Sequence, residues 1–248
     1  LAACSSSTNT LDKVKDKGTL TVALNPHFAP FEFKTIQDGK DTIVGADVEI
    51  AKVIADELGV KVKFSEMSFD NVLASVQSGK ADIAIAGISV TDERKKVYDF
   101  SDSYYTSENV VIVKKDKVND YTSTDSLAKQ TVGTQKGSVQ ETVAKKQISK
   151  ASVVSLASNG EMINELKSGQ IQAVVLEKAI AEGYIAQNDD LTLANFNLKS
   201  DGSDAYAVAT RKGSDDLLKE INAVIKETKD SGKFDQWLKE ASTYKQSK

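Results

Sequence analysis

The sequence predicts an α/β protein of two similar lobes joined by two crossing strands. Three observations carry that expectation. Short β-branched or apolar runs alternate with amphipathic helices along most of the chain, the pattern of sheets covered by helices. The order helix, Ser-Gly, polar residue, buried strand occurs twice, over residues 71–86 and again over 161–176. Finally, residues 107–114 read as a strand leaving the first lobe, and 205–210 as a strand returning to it.

The elements follow in order. Residues 18–24 (GTLTVAL) alternate and are β-branched, which makes a strand. Asn25 to Phe33 then hold both prolines of the chain. Proline fixes φ and restricts its predecessor, so a rigid loop carrying Phe28, Phe31 and Phe33 follows. Either one of these aromatics faces a site or all three belong to the core. Residues 45–59 read as a helix, with Asp47 available as its cap, Ile50, Val53, Ile54 and Leu58 on one face, and Gly59 as its stop. A strand at 60–64 and a second amphipathic helix at 69–78 come next. The apolar run 83–86 is too short for a helix and is bounded by Gly79 and Gly87. It reads as a strand buried on both faces of a parallel sheet. Beyond Gly87, Ser89 and Thr91 offer hydroxyls, and Thr91 can cap a helix starting at Asp92. Open α/β sheets bind ligands at such C-terminal strand ends.

The second half repeats the scheme. A strand at 131–135 ends in Lys136-Gly137-Ser138, followed by a helix through Ala144 and a strand at 151–156. Helices at 215–229 and 234–242 cover the first lobe. The expected division is a tether at 1–10, a first lobe of 11–106 plus 205–248, and a second lobe of 107–204. Two crossing strands make a hinge, and a ligand site between hinged lobes follows.

Arg94 marks that site. The chain has two arginines, Arg94 and Arg211, among 32 basic residues. A chain so biased to lysine keeps arginine where a planar, permanently charged fork matters. Its partner is either a ligand carboxylate, worth roughly 1.5–3 kcal/mol when well formed, or a surface neighbour such as Asp99 or Glu93.

Composition excludes several classes. With 27% charged residues, a net charge of −4 and interspersed signs, no basic stripe points to nucleic acid. One histidine and one cysteine exclude a His/Cys zinc cluster and any disulfide within the chain. No cofactor motif stands out, and no apolar run reaches membrane-spanning length. The single cysteine sits in Leu1-Ala2-Ala3-Cys4, which resembles the lipobox of bacterial lipoproteins, with Cys4 as the acylated residue and the Ser/Thr-rich stretch after it as a tether. Residues before Cys4 are then absent from the mature protein.

Four motifs in order, Phe-Ala-Pro-Phe-Glu-Phe, Val-Gly-Ala-Asp-Val-Glu-Ile, Ala-Gly-Ile-Ser-Val-Thr-Asp-Glu-Arg and Asp-Phe-Ser-Asp-Ser-Tyr-Tyr, resemble the polar amino-acid-binding proteins of ABC importers. The resemblance runs from about Leu20 to Trp237. It implies a Venus-flytrap fold that closes on one free amino acid and delivers it to a membrane permease. It also implies that the protein works as a monomer outside the cytoplasm, held to the membrane only by its lipid. Carried over by residue, Phe28 stacks on the ligand side chain and Phe69 forms the opposite wall. The Ala86–Gly87 backbone and the Ser89 hydroxyl bind the ligand carboxylate and amine, and Arg94 grips the α-carboxylate. Ser138, after Gly137, donates across the cleft. Glu177 stands where the family usually has Asp and partners the α-ammonium, unless Lys178 pairs with it. Asn25 stands where relatives carry an acid, in reach of the ligand side chain. A flat slot between Phe28 and Phe69 with Asn25 at its end suits a guanidinium first and a glutamine amide second.

Two other classes compete. The same bilobed fold includes a dehydratase of a cyclic carboxylic acid, with His27 as the one candidate base. A ligand-sensing module needs a membrane helix and a signalling domain that this sequence does not display.

Overall fold

The computed structural model describes residues 9–200 and 204–247, so Cys4 and its surroundings lie outside the described residues. Helix α1 (Thr10–Lys17) leads into β1 (Thr19–Leu24). A small antiparallel sheet follows, made of β2 (His27–Phe28), β3 (Glu32–Gln37) and β4 (Lys40–Val44). Then come α2 (Ala46–Leu58), β5 (Lys61–Glu66), α3 (Phe69–Gln77), β6 (Ile83–Ala84), the short α4 (Asp92–Lys95) and β7 (Tyr98–Phe100). Strand β8 (Tyr105–Thr106) carries the chain into the second lobe. That lobe holds β9 (Asn109–Lys114), β10 (Thr131–Gln135), α5 (Val139–Gln147), β11 (Ser152–Leu156), α6 (Asn159–Ser168), β12 (Ala173–Glu177), α7 (Lys178–Gln187) and β13 (Leu191–Leu193). Strand β14 (Ala205–Tyr206) returns to the first lobe, which ends with β15 (Ala209–Arg211), α8 (Asp215–Asp230) and α9 (Lys233–Ala241).

Each lobe is built on a five-stranded sheet, and the two sheets share one plan. The strand order is β5-β1-β6-β15-β7 in the first lobe and β11-β10-β12-β9-β13 in the second. In both, the first three strands run parallel and the fourth and fifth pair antiparallel. The fourth strand in each lobe directly follows a crossing strand, β14 or β8. Those two pair antiparallel through Tyr206 with Tyr105 and Ala205 with Thr106, and this ribbon is the hinge.

Several local readings are refined. The run 83–86 is fully buried, but only Ile83 and Ala84 form ladder pairs, parallel to β1 and antiparallel to β15. The sheet is therefore mixed rather than parallel. The segment from Asn25 to Phe33 is a hairpin rather than a plain loop, and its turn carries a cis Ala29–Pro30 bond. Asp47 does not cap α2; Gly45 takes that position, and Asp47 lies inside the first turn, fully buried. The expected tether does not extend to residue 10. Asn9 caps α1, Thr10 is buried against Ser214 through a 2.9 Å hydroxyl contact, and Val14 enters the core.

An aromatic cluster sits between the hinge and the first lobe. Phe31 packs edge-on against Tyr105 at 5.0 Å and Tyr206 at 5.5 Å, with Phe234 behind. The chain's end straps the small sheet: Thr35 Oγ1 donates to the Lys245 carbonyl at 2.6 Å, and Ser247 N to the Lys34 carbonyl at 2.8 Å.

Candidate functional site

The cleft between the lobes encloses a narrow cavity. Phe28, Phe69, Gly87, Ser89 and Arg94 line it from the first lobe, Tyr206 from the hinge, and Gln135, Gln140, Asn159, Glu177 and Ile180 from the second. Most of these residues lie at or shortly beyond strand ends, and Arg94 lies farther on, in α4.

Arg94 is fixed from both sides. Thr91 caps α4, its Oγ1 accepting the Arg94 N–H at 3.1 Å. The guanidinium donates to the Ser89 carbonyl at 2.8 Å and across the cleft to the Gly137 carbonyl at 3.1 Å. Neither Asp99 nor Glu93 partners it; Asp99 pairs with Lys212 at 3.3 Å. Burial pulls the Arg94 guanidinium down to about 10, which leaves it charged at neutral pH. Phe69 lies 6.0 Å beneath its Cζ.

The two expected aromatic walls meet differently from the expectation. Phe28 and Phe69 stand edge to face, 5.6 Å apart at 83°, so they form a corner rather than a parallel slot in this closed arrangement. Phe28 faces the cavity, Phe31 both lines it and joins the aromatic cluster, and Phe33 packs beside Ala241.

Gly87 has a left-handed φ of +59°, and its N–H donates to Asp47 Oδ2 at 3.1 Å. Ala86 is fully buried and contributes to sheet packing rather than to the cavity wall. The Ser138 hydroxyl donates to the Gln135 carbonyl at 2.7 Å, which tightens the turn that presents Gly137. Behind these loops lie two buried acids. Glu32 Oε1 accepts the Asn25 N–H at 3.2 Å, while Asp47 holds Gly87. Burial, and then the neighbouring Asp47 carboxylate, push the Glu32 carboxyl well up, and burial also raises that of Asp47.

Glu177 caps α7, its Oε2 accepting the Ile180 N–H at 3.2 Å, while Oε1 is buried without a partner. Burial raises its carboxyl to about 7, against the pull of the α7 amides. Lys178 does not pair with it; Lys178 pairs with Glu108 at 2.9 Å. Asn25 departs from its expected role. Its Nδ2 donates to the Met67 carbonyl at 2.8 Å, its Oδ1 accepts from Gln135 Nε2 at 3.2 Å, and it is not part of the cavity wall. His27 is exposed and also outside that wall.

Gln135, Gln140, Asn159, Ile180 and Tyr206 line the cavity without having been singled out by motif. For Gln135 a signal existed: it is the last residue of a predicted strand, before a glycine turn. The lobes meet through further contacts, an Asp70–Lys136 ion pair at 3.3 Å and the Asn25–Gln135 bond. No group of three or more metal-type ligands occurs among the described residues, and none of their helices is long and apolar enough to cross a membrane.

Two α/β lobes hinged by a ribbon and closed over a charged, aromatic-walled cleft define a solute-binding protein. The chain belongs to the bacterial extracellular solute-binding proteins, family 3, whose model matches residues 20–241. It is 34% identical to the arginine-binding extracellular protein ArtP of Bacillus subtilis over 244 residues, covering 96% of this chain and 91% of the relative. It is 33% identical to the ABC transporter glutamine-binding protein GlnH of the same organism, covering 96% and 88%. Among solved structures, an amino acid ABC transporter substrate-binding protein of Streptococcus pneumoniae bound to L-arginine superposes with a TM-score of 0.94 at 46% identity, covering 96% of this chain and all of that one.

Proposed function

We propose that the protein captures a free amino acid, arginine first and glutamine second, and delivers it to the permease of an ABC importer. One observation carries this reading: Arg94, a cation, and Glu177, an acid with one oxygen unpartnered, come from different lobes and line one cavity. A zwitterion bridging them satisfies both charges only when the lobes are closed, so differential affinity drives closure. The relatives' ligands support the choice, arginine for ArtP and the pneumococcal protein and glutamine for GlnH. Phe28, Phe69 and Tyr206 supply aromatic surface for the aliphatic stem and the guanidinium, a contact worth roughly 0.5–2 kcal/mol.

Within this reading Arg94 holds the α-carboxylate, Glu177 the α-ammonium, and the Gly87–Ser89 and Gly137–Ser138 turns the backbone contacts. Capture without turnover fits the placement of His27 outside the cavity. One chain supplies both cleft walls, which fits action as a monomer. The Leu1-Ala2-Ala3-Cys4 motif supports a lipid anchor on Cys4 outside the cytoplasm. A melting-temperature screen of refolded, ligand-stripped protein against the common amino acids tests the ligand, because a tight binder raises the midpoint by mass action. The largest shift is expected with arginine; a largest shift with aspartate, glutamate or a branched aliphatic amino acid rejects the reading.

A further inference from the structure

The cleft holds three buried side-chain oxygens without a hydrogen-bond partner among the described residues: Glu177 Oε1, Gln135 Oε1 and Asn159 Oδ1. Buried polar atoms are nearly always paired, so each of these asks for a donor. In the reading above the ligand ammonium answers Glu177. The other two oxygens belong to neutral amides, and their neighbours fix which end of each amide is left over. Asn25 Nδ2 donates to the Met67 carbonyl at 2.8 Å, a backbone oxygen that can only accept. Asn25 Oδ1 must therefore be the acceptor for Gln135 Nε2, at 3.2 Å. Gln135 Nε2 donates a second bond to the Ala157 carbonyl at 3.3 Å. Both its hydrogens are used, and a flipped Gln135 amide would set its oxygen against two acceptors. Asn159 is oriented more loosely, by one long contact from its Nδ2 to the His27 carbonyl at 3.5 Å.

We propose that Asn25 is a positioning residue: it locks the Gln135 amide so that Gln135 Oε1 and Asn159 Oδ1 together present an acceptor-only wall, which selects a ligand side chain ending in N–H donors with no acceptor of its own. This rests on the amino-acid-capture reading. A guanidinium satisfies such a wall completely, since it carries donors and no acceptor. A glutamine side chain satisfies it with its NH2 but brings a carbonyl that finds no donor there. Citrulline is the sharper probe, because it keeps the shape of arginine and replaces one terminal nitrogen by a carbonyl oxygen. A glutamate side chain offers two further acceptors to two acceptors and is rejected. The wall also explains how a guanidinium is received without a second buried carboxylate.

The test is calorimetric titration of the full chain, stripped of ligand by unfolding and refolding, with L-arginine, L-citrulline, L-glutamine and L-glutamate. Wild type is expected to prefer arginine to citrulline by about tenfold or more and to give no heat with glutamate. In Asn25→Leu only the Ala157 carbonyl still holds the Gln135 amide, so its NH2 can turn toward the ligand against one acceptor instead of two. Arginine binding should then fall by about tenfold or more while citrulline and glutamine change by less than about threefold. In Gln135→Met the arginine preference should collapse equally, and adding Asn25→Leu should cost nothing further. If Asn25→Leu fails to fold, the arginine-to-citrulline ratio in Gln135→Met decides. A uniform loss for all ligands in Asn25→Leu, an unchanged ratio in Gln135→Met, or additive effects in the double variant overturns the proposal. A wild type that binds arginine yet does not distinguish citrulline also overturns the proposal and leaves the capture reading standing. A wild type that binds no amino acid overturns both.

Discussion

Arg94 donates to a carbonyl oxygen of each lobe, so its guanidinium is held in a fixed direction at the cleft. Arg94→Ala should abolish arginine binding, and Arg94→Lys should weaken it by roughly 10- to 150-fold, because an ammonium cannot make two parallel bonds. Calorimetry that finds wild-type affinity in the lysine variant removes Arg94 from the site. Glu177 yields a pH prediction. Its ordinary value near 4.5 is raised by burial to about 7. Between those values the unfolded chain ionises this carboxyl while the folded chain keeps it protonated. Ligand-free stability from Glu177 is therefore full below the lower value and is lost as pH rises through the upper one. A ligand ammonium favours the ionised form, so affinity should rise with pH from about 5 and level off above 7. In Glu177→Gln that slope should vanish. Arg94 stood out in the sequence as a rare arginine and Glu177 only through the family resemblance, and the structure lines one cavity with both. The partners of Asn25 were not legible: Met67 and Gln135 lie far along the chain, and they occupy its amide in this closed arrangement. The orientation of the Gln135 and Asn159 amides was hidden in the same way, since an amide's polarity is set by whatever it touches.

Gly45 shows why one element begins where it does. It has φ of +128°, and a Cβ there would collide with the Phe31 carbonyl, so α2 can start beside the β2–β3 hairpin only with glycine. Gly45→Ala should cost more than about 2 kcal/mol, whereas Gly39→Ala, in open space at the β3–β4 turn, should cost about 1 kcal/mol or less. Chemical denaturation of the two variants checks the order, and equal losses would refute the steric account. Helices with clear faces and glycine stops, α2 and α3, were readable to within a residue or two. The small sheet was not, because two prolines in nine residues argue for a loop, and the strands they flank are ordered by α9 and the C-terminal strap. Helix α1 also escaped, since its short apolar content gains meaning only against Ser214 and the core.

The two lobes in this closed arrangement are tied by Arg94 to Gly137, Asp70 to Lys136 and Asn25 to Gln135. Small-angle scattering should show a smaller radius of gyration with saturating arginine than without it; identical profiles would mean a cleft that does not open. The Asp70–Lys136 pair lies at the exposed rim, so Lys136→Ala should alter the ligand's dissociation rate by no more than about threefold and should lose that effect in high salt. The two-lobed plan was legible from the repeated pattern, yet the shared strand order was not. In each lobe the fourth strand arrives from the hinge, and no local sequence signal announces which sheet it will join.

That fourth strand has a consequence for the order of events on the ribosome. The sheet of the second lobe, β9 to β13, is one uninterrupted stretch of chain, complete once Leu193 has emerged. The sheet of the first lobe keeps a gap between β6 and β7 until Ala209–Arg211 arrive to fill it, and two of its helices, α8 and α9, come later still. A nascent chain long enough to finish the lobe begun second therefore still lacks the middle of the lobe begun first. Non-local strand pairing is slow because loop closure must precede it. The first lobe is thus the later of the two to become resistant to proteolysis, and the cleft, which needs both, forms only after β15 has emerged.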